Sequence, residues 1–122
     1  MIKTKYNRKH NAVVIEFEGH VDTTQGEQFF KDIQKLLPKH GKGFTLLTDM
    51  TSLEKMDLQV KDSITKAMDL FNANGITRVI RVIPDENKDI GFNILSAFHY
   101  SKGVKILTLQ SRKEALQRLA RL

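Results

Sequence analysis

Two carboxylates bracket the segment Asp49-Met50-Thr51-Ser52-Leu53-Glu54-Lys55-Met56-Asp57. A carboxylate pair does acid–base work, or holds a cation, when a closed pocket perturbs its pKa values. A simpler account gives each a local task. Asp49 satisfies loop amides, and Asp57 caps a following helix, where its charge meets the positive end. The sequence favours that account, because nothing around the pair completes a catalytic set. The histidines, His10, His20, His40 and His99, never pair at the three- or four-residue spacing of a zinc-binding helix face. The serines have no Gly-x-Ser-x-Gly context for a nucleophile. Gly41-Lys42-Gly43 precedes a strand pattern, whereas a phosphate loop feeds a helix. No cysteine is present, which excludes thiol catalysis and disulfides. The expectation is a protein that is not an enzyme and has neither metal nor cofactor.

The segment follows Phe44-Thr45-Leu46-Leu47-Thr48, a β-like run, and precedes a helical pattern. In an α/β domain, the carboxyl end of a buried strand is where a working loop sits. Two strand patterns open the chain, Ile2 to Tyr6 and Ala12 to Phe17, joined by the polar turn Asn7 to Asn11. They read as an antiparallel hairpin, with Gly19 ending the second strand. Asp22-Thr23-Thr24 caps a first helix carrying Phe29, Phe30, Ile33, Leu36 and Leu37. A second helix runs from about Asp57 to Ala73, with Val60, Ile64, Ala67, Met68 and Phe71 on one stripe. Thr77 to Ile83 is a further strand, ended by Pro84. A third helix then carries Ile90, Ile94, Leu95 and Phe98 as far as Gly103, with His99 near its negative end. Val104 to Leu109 is the last strand, and Ser111 caps a final helix with Ala115, Leu116 and Leu119.

This order predicts one α/β domain over residues 1–122: a mixed sheet with an antiparallel amino-terminal hairpin, parallel later strands and four helices. A chain of 122 residues carries one core comfortably. No apolar run approaches the length of a membrane span, and the amino-terminal pattern lacks a signal-peptide core. A cytoplasmic location is the expectation. The formal charge of +6 is concentrated near the two ends, including Lys102, Lys105, Arg112, Lys113, Arg118 and Arg121. Such runs are usually solvated faces. No aromatic residues interleave with them as a base-stacking platform requires, so nucleic acid is not expected as a partner.

With its elements in place, the chain resembles the STAS family (sulfate transporters and anti-sigma-factor antagonists) and its SpoIIAA-like relatives. Asp49 to Asp57 is similar to that family's Asp-apolar-Ser-Gly-apolar-x-x-apolar-Asp segment. In the antagonists, one or two serines and a glycine follow the second acid, and a kinase modifies a serine to break a protein interface. Leu58, Gln59 and Val60 stand at those positions here, so the phosphoswitch does not carry over. Ser52 is the least implausible modification target, although phosphate there would add about 1.5 to 2 negative charges beside Asp49 and Glu54.

The resemblance implies a regulatory protein-interaction module of a bacterial cytoplasm. Its contact surface would be an interaction loop of Asp49, Thr51, Ser52, Glu54, Asp57 and Leu58, facing a protein partner yet to be identified. The alternative is a carrier or sensor of a small apolar ligand, in a cavity lined by Phe29, Phe71, Phe92 and Phe98. Those rings at helical spacing read first as core. A homodimer is a further expectation, since small domains commonly pair symmetrically.

Overall fold

A computed structural model describes residues 1–39, 42–83 and 97–122. Strand β1 (Ile2–Asn7) pairs antiparallel with β2 (Ala12–Val21), from Ile2 opposite Phe17 to Asn7 opposite Ala12. The hairpin turn needs one residue at positive φ, and Asn11 supplies it at 47°. Its short amide makes that region accessible, and Asn11 Oδ1 accepts a 2.6 Å bond from Tyr6 Oη.

Helix α1 (Thr23–Leu36) follows. Asp22 Oδ1 accepts from the Gln25 amide at 2.9 Å, while Gln25 Oε1 accepts from the Asp22 amide at 3.2 Å. This reciprocal box satisfies two otherwise orphaned donors. Strand β3 (Thr45–Met56), helix α2 (Val60–Ala73), strands β4 (Arg78–Val82) and β5 (Lys105–Leu109) and helix α3 (Arg112–Ala120) complete the described elements. The sheet order is β1-β2-β3-β4-β5, with every pairing after the first parallel. This is the mixed α/β domain expected from the sequence. Three α-helices lie among the described residues; most of the expected third helix falls in 84–96, outside them.

The expected continuation of that helix to Gly103 is corrected. Phe98 to Ser101 are not helical. Asn72 on α2 holds this stretch, donating to the His99 carbonyl at 3.2 Å and accepting from the Ser101 amide at 2.9 Å. The His99 ring has a side-chain partner on α2, its Nε2 lying 2.8 Å from Asp69 Oδ1.

The central strands bury both faces of the sheet. On one, Val13, Ile15, Phe17, Leu46 and Met50 meet Phe29 and Ile33 of α1 and Ile64, Met68 and Phe71 of α2. On the other, Val14, Leu47, Ile80 and Val82 meet Ala115 and Leu119 of α3. Helices α1 and α2 approach closely at Gly26, where a Cβ would lie 3.0 Å from Val60 Cγ1.

Candidate protein-interaction site

The site begins with a strand longer than its sequence suggests. The expected loop from Asp49 to Asp57 is strand through Met56. Two irregularities disguise it. While β2 advances from Glu16 to Glu18, β3 advances from Asp49 to Ser52; while β2 advances from Gly19 to His20, β3 advances from Leu53 to Lys55. Each step inserts one extra residue into β3, as a bulge does. The inward period therefore changes from two residues to three, so that Met50, Leu53 and Met56 all enter the core. Strand β2 likewise runs past Gly19, whose φ of 63° accommodates the second irregularity.

Asp49 points to the α3 side and is 5% exposed. Its Oδ1 accepts from the Thr51 amide at 3.0 Å and the Thr51 hydroxyl at 2.7 Å, which secures the first bulge. Glu16 lies directly opposite on β2. Two carboxylates in that relation repel, and Arg112 relieves the repulsion from the first turn of α3. Its guanidinium donates to Glu16 Oε1 at 2.7 Å and to Asp49 Oδ2 at 3.3 Å. The hydrogen bond from Arg112 holds the Glu16 carboxyl below its usual range, against desolvation, with help from the charge of Arg112. Reciprocally, the bond to Glu16 raises the Arg112 pKa.

Asp57 does something else. The expected cap is corrected: the N-cap position of α2 is Gln59, which makes no side-chain capping bond. Backbone turns do that work, with the Asp57 carbonyl accepting from the Val60 amide at 3.0 Å. The Asp57 carboxylate takes His20 Nε2 at 2.7 Å, and its amide donates to the Val21 carbonyl at 3.0 Å. Among the described residues no contact joins Asp49 to Asp57, so the two acids do not form one site. No group of three potential metal ligands occurs among the described residues either.

The expected contact residues separate into two sets. Asp49 is internal, with Thr51 half-buried beside it. Ser52, Glu54 and Leu58 are exposed, Leu58 to 63%. Asp57 is half-buried between them and His20. Sequence reasoning missed Glu16, His20 and Arg112. Glu16 alone left a trace, as a charge interrupting an apolar strand.

The phenylalanines of the ligand alternative are core rings. Phe29 and Phe98 both set edge-on against Phe17, with centroids 6.1 Å apart, and Phe71 lies 5.8 Å from Phe44. Phe92 lies outside the described residues. A surface cavity of about 360 Å3 beside α3 and one of about 290 Å3 on α1 include no phenylalanine in their walls.

The architecture is that of the α/β domains in which a mixed sheet carries helices on both faces, and solved structures narrow it further. The anti-sigma factor antagonist SpoIIAA in its unphosphorylated form matches with a TM-score of 0.67 at 18% identity, over 100% of both chains. A DUF3478-family protein with a SpoIIAA-like fold, from Shewanella loihica PV-4, matches at 0.64 and 17% identity, over 98% of this chain and 92% of that one. An RsbS variant from Moorella thermoacetica matches at 0.62 and 17% identity, over 99% and 98%. The chain has the STAS, or SpoIIAA-like, fold. No family model matches the sequence, and no curated protein matches it.

Proposed function

We propose that the chain is a non-enzymatic regulatory module of a bacterial cytoplasm that docks one protein partner through the exposed end of β3 and the turn into α2. Ser52, Glu54, Asp57 and Leu58 form the contact surface. Asp49 and Thr51 act from beneath, fixing the bulge that presents it. One observation carries this reading: Leu58, a large apolar side chain, is 63% exposed on a turn between two well-packed elements. Burying an apolar side chain of this size against a partner is favourable by about 1.5 to 3 kcal/mol. The anti-sigma factor antagonist with the same fold lends support by analogy of architecture. Among the described residues no helix is long and apolar enough to cross a membrane, which fits the proposed setting.

The apolar-ligand reading is set second, because Phe29 and Phe98 pack on Phe17, and Phe71 on Phe44, within the buried core. Affinity purification from the native host with wild-type, Leu58→Arg and Asp57→Arg chains tests the proposal. Loss of a wild-type partner in both variants, with unchanged circular dichroism, supports it. Retention of all partners by both folded variants rejects it. Light scattering of the purified chain reports whether the partner is a second copy.

A further inference from the structure

The other end of the sheet carries a feature independent of the docking face. A cavity of about 360 Å3 opens between the start of β4, the start of β5 and the end of α3. Ile80 and Leu107, register partners on the two strands, contribute apolar surface to its walls. Arg78, Lys105, Arg118 and Arg121 surround them, and no acidic side chain lines the cavity. None of the four cations makes an ion pair or side-chain hydrogen bond among the described residues. Arg112, on the same helix, is by contrast held by two carboxylates.

Helix electrostatics account for part of this. Arg118 and Arg121 sit at the carboxyl end of α3, where a cation is favoured. That does not explain Arg78 and Lys105, which lie directly opposite each other on β4 and β5. Like charges in that relation are destabilising, as are like charges one helical turn apart. The fold thus places two cation pairs around one concavity, and an anion bound there meets all four.

The chemistry of the walls selects the anion. Guanidinium forks match phosphate oxygens two at a time. A phosphate monoester carries about 1.5 to 2 negative charges at neutral pH, more than a single carboxylate in a comparable volume. The apolar surface offers nothing to a bare ion and suits an organic substituent. The volume is at the small end of the range for small-molecule sites. We propose that this cavity binds a soluble phosphate monoester of a small apolar group.

Phenyl phosphate is the probe, with inorganic phosphate as the comparison, titrated into isotopically labelled full chain at low salt and followed by amide chemical shifts. The expected result is saturable 1:1 binding of phenyl phosphate, with shifts confined to residues around Ile80, Leu107 and Arg118. Inorganic phosphate should bind about tenfold more weakly, since it leaves the apolar surface uncovered. The Arg118→Gln/Arg121→Gln variant should weaken phenyl phosphate at least about tenfold, because each guanidinium contributes charge-assisted bonds. Lys105→Gln checks the strand side independently and should also weaken it. Non-saturating shifts spread over all basic surfaces would overturn the proposal. Equal affinity for the two anions would overturn it as well, as would undiminished binding in the folded variants.

Discussion

Replacing Arg112 with methionine keeps an unbranched side chain and removes the guanidinium. Glu16 and Asp49, their side chains only 14% and 7% exposed, are then left facing each other across β2 and β3. Breaking a fully buried ion pair costs about 3 to 5 kcal/mol, and an exposed pair contributes about 0 to 1 kcal/mol. Arg112 is 42% exposed, so solvent screens the interaction and the upper range does not apply. One bond is short at 2.7 Å and the other long at 3.3 Å. A loss of about 2 kcal/mol at pH 7 follows, in line with hydrogen bonds to charged groups. For a domain of this size that corresponds to a melting temperature lower by about 8 °C.

The pH dependence gives a sharper test. The folded-state pKa of Glu16 is depressed below the ordinary value of a glutamate by its hydrogen bond to Arg112. Its contribution is therefore complete above that value and is lost as pH falls through the depressed folded pKa. Arg112 stays protonated throughout. In the methionine variant Glu16 loses the partner that kept it ionised, and protonation becomes favourable at higher pH. The stability gap between wild type and Arg112→Met should thus be widest near neutrality and shrink as acidification protonates the variant's Glu16 before that of the wild type. Urea denaturation at pH 7 and pH 4 measures it. Adding Glu16→Gln should recover much of the loss, because the surviving carboxylate no longer faces a second one. A gap under about 0.5 kcal/mol at pH 7 would refute the reasoning, as would a gap of equal size at both pH values.

Gly26→Ala should destabilise by about 1 kcal/mol in chemical denaturation: improved helix propensity returns up to about 1 kcal/mol, but crowding a packed site costs about 1 to 3. Val60, 3.0 Å from the added carbon, is fully buried and stiff at χ1, so Val60→Ala should reverse the sign of the Gly26→Ala effect. Phe71→Ala should lose about 3 to 5 kcal/mol in the same assay, since the ring is fully buried against Phe44; a loss under 1 kcal/mol would reopen the case for an internal ligand cavity. Leu58→Ser should leave stability within about 0.5 kcal/mol while weakening a captured partner by about thirtyfold or more in a binding titration, the mark of an interface anchor.

Much of the fold was legible because local signals and the global layout agree. The β-branched run from Ala12, the Asp22 cap, the apolar stripe of α2 and the Ser111 cap each led to the element observed. The candidate site was less legible, for two physical reasons. Strand β3 lost its alternation where extra residues were inserted, so Met50, Leu53 and Met56 carried a three-residue period foreign to a regular strand. The partners of the two acids are also remote. Arg112 lies 63 residues from Asp49, and His20 lies 37 from Asp57. No local pattern encodes such a contact. Reading Asp57 as a cap was reasonable by position, but the helix starts three residues later and its first turn closes on backbone carbonyls.

The extended part of β3 also bears on how a partner would dock. Pairing between β3 and β4 spans only Thr45 to Asp49, whereas pairing between β2 and β3 continues to Met56. Natural proteins discourage the addition of a foreign strand with bulges and charges. Both devices occur here: the two irregularities lie in this stretch, and Glu54 and Lys55 are exposed within it. Strand addition is therefore disfavoured along this stretch. What the bulges leave outward are side chains, Ser52 and Glu54 beside the Leu58 turn, while Leu53 and Met56 anchor the same segment in the core. A partner on this surface would be recognised through side chains on a firmly held backbone, which is why a single exposed leucine is expected to matter more than any backbone contact.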